Sequence, residues 1–179
     1  MVFFVNAITS VTTSGLNEVS SGNAIAKLKY WLPAIVVAMI ISGFSTRYFS
    51  AAYTARVILP ILRWLFPAAH PHTLHLMHVL IRKAAHVIEF AAFSIAVFYG
   101  VRADRSGWRL NWALLTLAIA VSYAGLDEWH QSFVPLRDAS FRDVLIDSLG
   151  ALIAQVFVWA YAKLHSNARS AVRTSPARG

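Results

Sequence analysis

The chain has 179 residues, of which 58% are hydrophobic and 13% are charged, and its formal net charge is +8. A charged fraction near half of the usual ~25% is typical of membrane proteins rather than of soluble globules. The length allows one domain, and the absence of cysteine excludes disulfides, a thiolate nucleophile and cysteine-ligated metals.

Four apolar runs predict membrane-spanning helices, since a span needs about 17–25 residues at ~1.5 Å rise per residue. The first and third runs contain no charge, whereas the second and fourth reach the required length only if charged residues lie inside their ends. In chain order the runs are 30–46, 83–101, 110–126 and 143–162.

An amphipathic segment, 49–66, separates the first two runs. Arg56 and Arg63 are seven residues apart on one helical face, and Pro60 and Pro67 are expected to break the segment. It therefore predicts an interfacial helix. The sequence as a whole predicts an all-α, polytopic membrane helical bundle of about four transmembrane helices plus this interfacial helix.

The basic residues flank the apolar runs and fill the C-terminal tail, so membrane lipids, not nucleic acid, are the expected partner. Nine bases on the side of the termini against seven on the other side favour both termini inside. Residues 1–26 are either a disordered N-terminal extension or precede a later start near Lys27. Residues 27–163 form the predicted transmembrane domain, and 164–179 form a basic C-terminal tail.

The stretch "DEWHQSFVPLRDASFRDVLID", 127–147, holds five of the eight acids of the chain. With four spans, the start of the second, the end of the third and the start of the fourth must share one membrane face. The sequence therefore predicts one polar site there, at the outer face, because isolated carboxylates in a membrane are costly. Its candidate residues are Lys83, His86, Glu89, Asp127, Glu128, Gln131, Arg137, Asp143 and Asp147.

Several spacings refine this prediction. His75, His78, Arg82, His86 and Glu89 would form one polar stripe if 73–100 is a single helix. Ser140 precedes Asp143 by three residues, a capping-box-like spacing that would start the fourth span near residue 141.

Other small or polar residues are expected to be structural. No strong metal motif accompanies the histidines, so neither a metal nor a cofactor is expected. The small residues Ala118, Ser122 and Gly125, and Gly150 with Ala154, are expected to allow close helix packing.

Two motifs, "RKAAHVIEFAAF" (82–93) and "YAGLDEWHQSFVPLRDASFRDVLIDSLGALIA" (123–154), resemble the VanZ-like membrane proteins over about residues 30–160. Leu136 and Phe90 depart mildly from the pattern of that family. Carried over by position, the signature residues are Lys83, His86, Glu89, Asp127, Glu128, Gln131, Pro135, Arg137, Ser140, Asp143, Asp147 and Gly150. The resemblance implies a bacterial cytoplasmic-membrane protein, and the namesake of the family is associated with lowered susceptibility to the glycopeptide teicoplanin.

Three hypotheses for function follow. The first is a binding protein whose outer site engages a lipid headgroup, a lipid-linked envelope precursor or a lipophilic glycopeptide, with Arg137 and Lys83 providing affinity. The second is a membrane enzyme acting on a lipid-linked substrate, with Asp127 or Glu128 as general acid or base and His86 as proton partner. The third is a small transporter or ion pathway that uses His86, Glu89 and Asp147 as a relay.

Overall fold

The structure is a computed structural model that describes the backbone of residues 21–135 and 139–174 and the side chains of 27–166 other than 47 and 136–138. These residues form five α-helices and one 3-10 turn, Arg47–Phe49, without a strand, which confirms the predicted all-α fold. The helices are α1 (Ser21–Phe44), α2 (Ala51–Leu65), α3 (Pro71–Arg102), α4 (Leu110–Gln131) and α5 (Phe141–Thr174). The predicted extension up to residue 20 and the end of the predicted tail, 175–179, lie outside the described residues.

Four helices in this part of the chain are long and apolar enough to cross a membrane, as predicted. They are Lys27–Phe44, Pro71–Arg102, Leu110–Gln131 and Phe141–Ser166. The second begins twelve residues before the apolar run because His70 caps it, accepting from the His72 N–H, and Pro71 occupies the first turn. The histidine stripe and the apolar run are therefore one continuous helix.

Helix α2 is the predicted separate amphipathic helix, with Val57, Ile61 and Trp64 exposed. The expectation that Pro60 breaks it is wrong, since the helix continues to Leu65. A proline inside a helix removes a single backbone donor, and here the residues on both sides stay helical. Pro67 follows the end of α2, where a proline is common.

Helix α3 is the centre of the bundle and contacts each of the other four helices. Its buried Phe90, Phe93 and Val97 pack against Ile41 of α1 and Ala151 of α5. Many large apolar side chains point away from this core and are exposed, among them Leu32, Ile88, Leu114 and Leu152. An apolar surface of this kind is suited to lipid rather than to water.

Close approach of α3 and α5 depends on Gly150, where an added Cβ would overlap the backbone of Val87. The expectation for α4 is wrong, because Ala118 and Ser122 are exposed and a Cβ on Gly125 would meet open space. The buried small residues of α4 are instead Ala113, Thr116, Ala120 and Ala124. Two faces of α4 carry small residues, and composition alone does not tell which one turns inward.

Charged residues mark two planes across the bundle. Lys83 and Arg102 are nineteen residues apart on α3, and Asp143 and Lys163 are twenty apart on α5. These separations correspond to about 28–30 Å of helix, close to the ~30 Å hydrocarbon thickness of a bilayer. We call residues 45–89 and 127–147 the site end, and residues 27–31, 99–112 and 159–166 the basic end.

Candidate functional site

An ion pair joins α3 to α5 at the edge of the site end. Lys83 Nζ lies 2.5 Å from Asp143 Oδ1, and the two side chains are 42% and 28% exposed. Asp143 is in the first turn of α5, where the helix dipole favours a carboxylate. Both side chains are partly exposed, so the charges of this pair remain accessible at the edge of the bundle.

A second pair lies one turn deeper on the same two helices. His86 Nδ1 is 3.4 Å from Asp147 Oδ1, with Asp147 only 1% exposed. The atoms are near enough to attract each other but lack hydrogen-bond geometry, and neither has a hydrogen-bond partner among the described residues. A carboxylate at this depth is costly unless it is paired, so His86 is its electrostatic partner.

A buried polar cluster connects α1 to α4. Ser45, directly after α1, donates to Asp127 Oδ1 and Oδ2 at 2.6 and 2.7 Å. Gln131 Nε2 donates to the same carboxylate at 2.7 Å and lies 3.3 Å from Ser45 Oγ. All three side chains are buried, and Asp127 is 6% exposed. Asp127 is thereby held by two donors and fastens the end of α4 to the end of α1.

Glu128 joins the end of α4 to the start of α5 in a similar way. It accepts the backbone N–H of Ser140, while Ser140 Oγ accepts the N–H of Arg142 at 3.2 Å. Ser140 therefore caps α5, which begins at Phe141 as predicted. The second bond of the expected capping box comes from Glu128 and not from Asp143, and Asp143 instead binds Lys83.

Helix α2 is attached to α3 through one hydroxyl. Thr54 Oγ1 lies 3.1 Å from His78 Nε2 and accepts from Arg82 Nη1 at 3.1 Å. The same Arg82 nitrogen donates to the Phe49 carbonyl at 2.9 Å. These contacts place α2 over the first turns of α3.

A cleft of about 360 Å³ lies between α2, α3 and the start of α5. Its walls combine small residues of α2 with a cationic face of α3, and Asp143 is the one acid among its lining residues. The lining residues are Ala51, Ala52, Ala55, His75, His78, Val79, Arg82, Lys83, His86 and Asp143. Such a cavity can accept an anion, because Arg and Lys are strong donors to phosphate and carboxylate oxygens.

Most of the predicted site residues lie together at the site end. Lys83, His86 and Asp143 line the cleft, and Asp147 lies behind His86. Asp127, Glu128 and Gln131 form the supporting layer between the helix ends. Glu89, half-buried, is three residues beyond His86 on α3. Arg137 lies outside the described residues.

The sequence did not predict three parts of the site: Ser45, Thr54 and the alanine face of α2. Their residue types are common in helices, so nothing in their chemistry separates them from packing residues. The one available signal was position, since Ser45 and Thr46 end an apolar run and Ala51, Ala52 and Ala55 follow helical spacing.

The histidines and acids of the described ranges do not come together as a metal-binding group of three or more. They are distributed over separate contacts, of which the two ion pairs and the Asp127 cluster are the main ones. The arrangement favours anion binding and proton exchange by side chains.

The family model described as VanZ/LLP1 matches residues 30–162. The chain belongs to the VanZ/LLP1 family. The match includes the membrane part of all four candidate spans and the whole of the site end. No curated protein and no solved structure shows a significant match to the chain. This VanZ/LLP1 protein is therefore a multi-pass membrane protein with an all-α bundle.

Proposed function

We propose that the cleft at the site end binds the phosphate-bearing headgroup of a membrane lipid or a lipid-linked envelope precursor. The observation that carries the proposal is the lining of the cleft. Arg82, Lys83 and three histidines face the cavity, and Asp143, the one acid among its described lining residues, is already paired with Lys83. With neutral histidines the lining has a formal net charge of +1, which a phosphate monoanion would balance.

The position of the cleft favours a lipid over a soluble anion. Lys83 and Asp143 lie at the calculated edge of the hydrocarbon core, the depth at which lipid phosphates begin. Trp129 and Phe133 are exposed at the same end and pack edge to face with ring centroids 5.5 Å apart, as in an interfacial aromatic belt. Helix α2 forms one wall of the cleft and exposes apolar side chains toward the acyl chains.

Each candidate residue has a role in this proposal. Lys83 is the principal cation, and Asp143 orients it. Asp127, Glu128 and Gln131 hold the helix ends that form the cleft. Arg137, which lies outside the described residues, is proposed as a third cation beside Arg82 and Lys83. Glu89 adds a negative charge that acts electrostatically on Arg82 and His86 of the same helix. The site faces outward from the bacterial cytoplasmic membrane, with both termini in the cytoplasm.

Titration with dihexanoyl phosphatidic acid, a soluble lipid phosphate, tests the binding proposal. We expect Lys83→Gln to weaken binding about ten- to a hundredfold, because one charge-assisted hydrogen bond contributes ~1.5–3 kcal/mol. Lys163→Gln removes a cation at the basic end and should leave the affinity unchanged. Equal affinities for the wild type and the Lys83 variant would contradict the proposal.

A second candidate function is acid–base catalysis on the same bound lipid, and the His86–Asp147 pair favours it. Asp147 is buried behind a histidine that lines the cleft, and at 3.4 Å its charge can stabilise a protonated imidazole during proton transfer. Asp127 is less suited to this role, since two donors hold it. An enzyme of this kind would hydrolyse phosphatidic acid in vesicles, with water attacking the phosphorus and diacylglycerol and inorganic phosphate as the products. His86→Gln would abolish the release of phosphate while retaining binding.

Transport is the least supported of the three hypotheses. Within the described spans, every histidine and carboxylate that is buried or half-buried belongs to the site end. A relay across the membrane would need a titratable group in the other half of the bundle.

Resistance to teicoplanin is a separate consequence that the family resemblance implies. If the site binds the drug or its envelope target, expression in a sensitive host should raise the inhibitory concentration of teicoplanin. Lys83→Gln should cancel that increase at equal membrane abundance. If the wild type is well expressed and the inhibitory concentration of teicoplanin does not change, this protein does not confer the resistance phenotype.

A further inference from the structure

The basic end carries an unbalanced charge. It contains six Lys and Arg residues and a single acid, Asp104. The site end, by contrast, has seven bases and six acids in sequence. Both ion pairs in 27–135 and 139–166 belong to the site end. The cations of the basic end therefore have no carboxylate partner among these residues.

Two of these cations are held in fixed positions on one ring. The guanidinium carbons of Arg105 and Arg109 lie 4.5 and 4.9 Å from the centroid of the Trp112 ring. Trp112 is 4% exposed and belongs to the core, whereas both arginines are exposed. Stacking on a buried aromatic ring orders the guanidinium groups without neutralising them.

Backbone contacts complete the arrangement. Arg105 Nε donates to the Arg102 carbonyl at 3.0 Å, and another of its nitrogens donates to the Val101 carbonyl. These carbonyls end α3, where the helix dipole favours a cation. Arg102 Nε and Trp108 Nε1 are buried donors without an acceptor among the described residues. The segment 101–112 therefore has more side-chain donors than side-chain acceptors, and Asp104 is its one carboxylate.

We infer that the Arg105–Arg109–Trp112 cluster binds the phosphodiester headgroup of an anionic glycerophospholipid in the leaflet at the basic end. Charge complementarity selects this occupant, since Asp104 is the one carboxylate beside three arginines and a headgroup phosphate supplies further acceptor oxygens and negative charge. The depth agrees, because Arg102 lies about 28 Å along α3 from Lys83, at the opposite edge of the hydrocarbon core. This cluster is distinct from the cleft at the site end and does not depend on the function of that cleft.

A fluorophore placed beside the cluster tests the inference on the intact chain. Ser106 is exposed in the loop, and the chain has no native cysteine, so Ser106→Cys takes a single bimane. The purified protein is placed in two sets of vesicles, both with equal fractions of phosphatidylglycerol and phosphatidylcholine. The phosphatidylglycerol carries the spin label in one set and the phosphatidylcholine carries it in the other, and quenching of the bimane fluorescence is measured in each.

We expect phosphatidylglycerol to associate with the labelled site about five- to twentyfold more strongly than phosphatidylcholine. The double variant Arg105→Gln/Arg109→Gln should reduce the ratio of phosphatidylglycerol to phosphatidylcholine association to about one. The double variant Arg105→Lys/Arg109→Lys should retain an intermediate ratio. Lys83→Gln should leave the ratio unchanged, which separates this test from that of the cleft. Both arginines are exposed, and an unchanged melting temperature will show that the variants fold.

Two results would overturn the inference. One is a ratio of one in the protein that retains both arginines. The other is a ratio that survives in Arg105→Gln/Arg109→Gln, which would assign any lipid preference to the general charge of the chain.

Discussion

At the scale of single residues, the acids of the 127–147 stretch have different tasks. Asp143 and Asp147 pair with α3, Asp127 binds Ser45 and Gln131, and Glu128 caps the next helix. Their side chains are chemically almost equivalent, so the sequence predicted the cluster but not these assignments. These acids differ in solvent exposure: Asp143 is accessible at the edge of the cleft, whereas Asp127 and Asp147 are buried.

Asp127→Ala is expected to destabilise the protein. It removes the acceptor of two buried donors, and each buried donor left unsatisfied costs about 1–3 kcal/mol. Asp143→Ala breaks a partly exposed ion pair and should cost about 0–1 kcal/mol. These costs can be compared from the melting temperatures of the two variants in the same detergent. An equal decrease in melting temperature for both variants would contradict the structural role of Asp127.

The His86–Asp147 pair predicts a strong energetic coupling. His86→Leu leaves Asp147 buried without its partner, and breaking a buried pair in this way costs about 3–5 kcal/mol. Replacing both residues with leucine should recover most of the loss, because no uncompensated charge remains. Denaturation of the two single variants and the double variant measures the coupling. Additive losses would show that the two side chains do not interact.

At the scale of the elements, apolar length and capping chemistry predicted four spans and the start of α5. The sequence did not predict that α3 begins at Pro71, since His70, Pro71 and the following histidines are typical of a loop. The inward face of α4 was also missed. Its buried side depends on contacts with α3 and α5, which no local pattern contains.

Gly150 and Gly125 provide a matched pair of substitutions. Gly150→Ala places a methyl group against the backbone of Val87, and overpacking of this kind costs about 1–3 kcal/mol. Gly125→Ala meets open space and gains helix propensity, so its stability should be unchanged or higher by up to about 1 kcal/mol. Thermal unfolding of both variants checks the α3–α5 contact. Tolerance of Ala at both positions would mean that these helices are further apart.

At the scale of the whole molecule, an even number of spans brings the polar ends together. This argument placed the start of α3, the end of α4 and the start of α5 at one face, and their contacts are seen in the structure. The contribution of α2 to the cleft was beyond the sequence, because its attachment depends on Thr54, His78 and Arg82 meeting across α2 and α3.

The proposed topology predicts the accessibility of single cysteines. Ala139→Cys, at the site end, should react with a membrane-impermeant maleimide in intact cells. Ser106→Cys, at the basic end, should react only after the membrane is permeabilised. Both positions are exposed, and no native cysteine competes. The reverse pattern would place both termini outside.

The most direct test of the account is the protection of a cysteine inside the cleft. Ala52 is exposed and, like Lys83, lines the cleft. The reactivity of Ala52→Cys therefore reports on which side of the membrane the cleft opens and whether the cleft is occupied. We predict that an impermeant maleimide modifies this cysteine from outside the cell and that dihexanoyl phosphatidic acid slows the modification, with no slowing at Ala139→Cys. Modification only after permeabilisation, or an unchanged rate with the lipid phosphate, would contradict an outward-facing headgroup site.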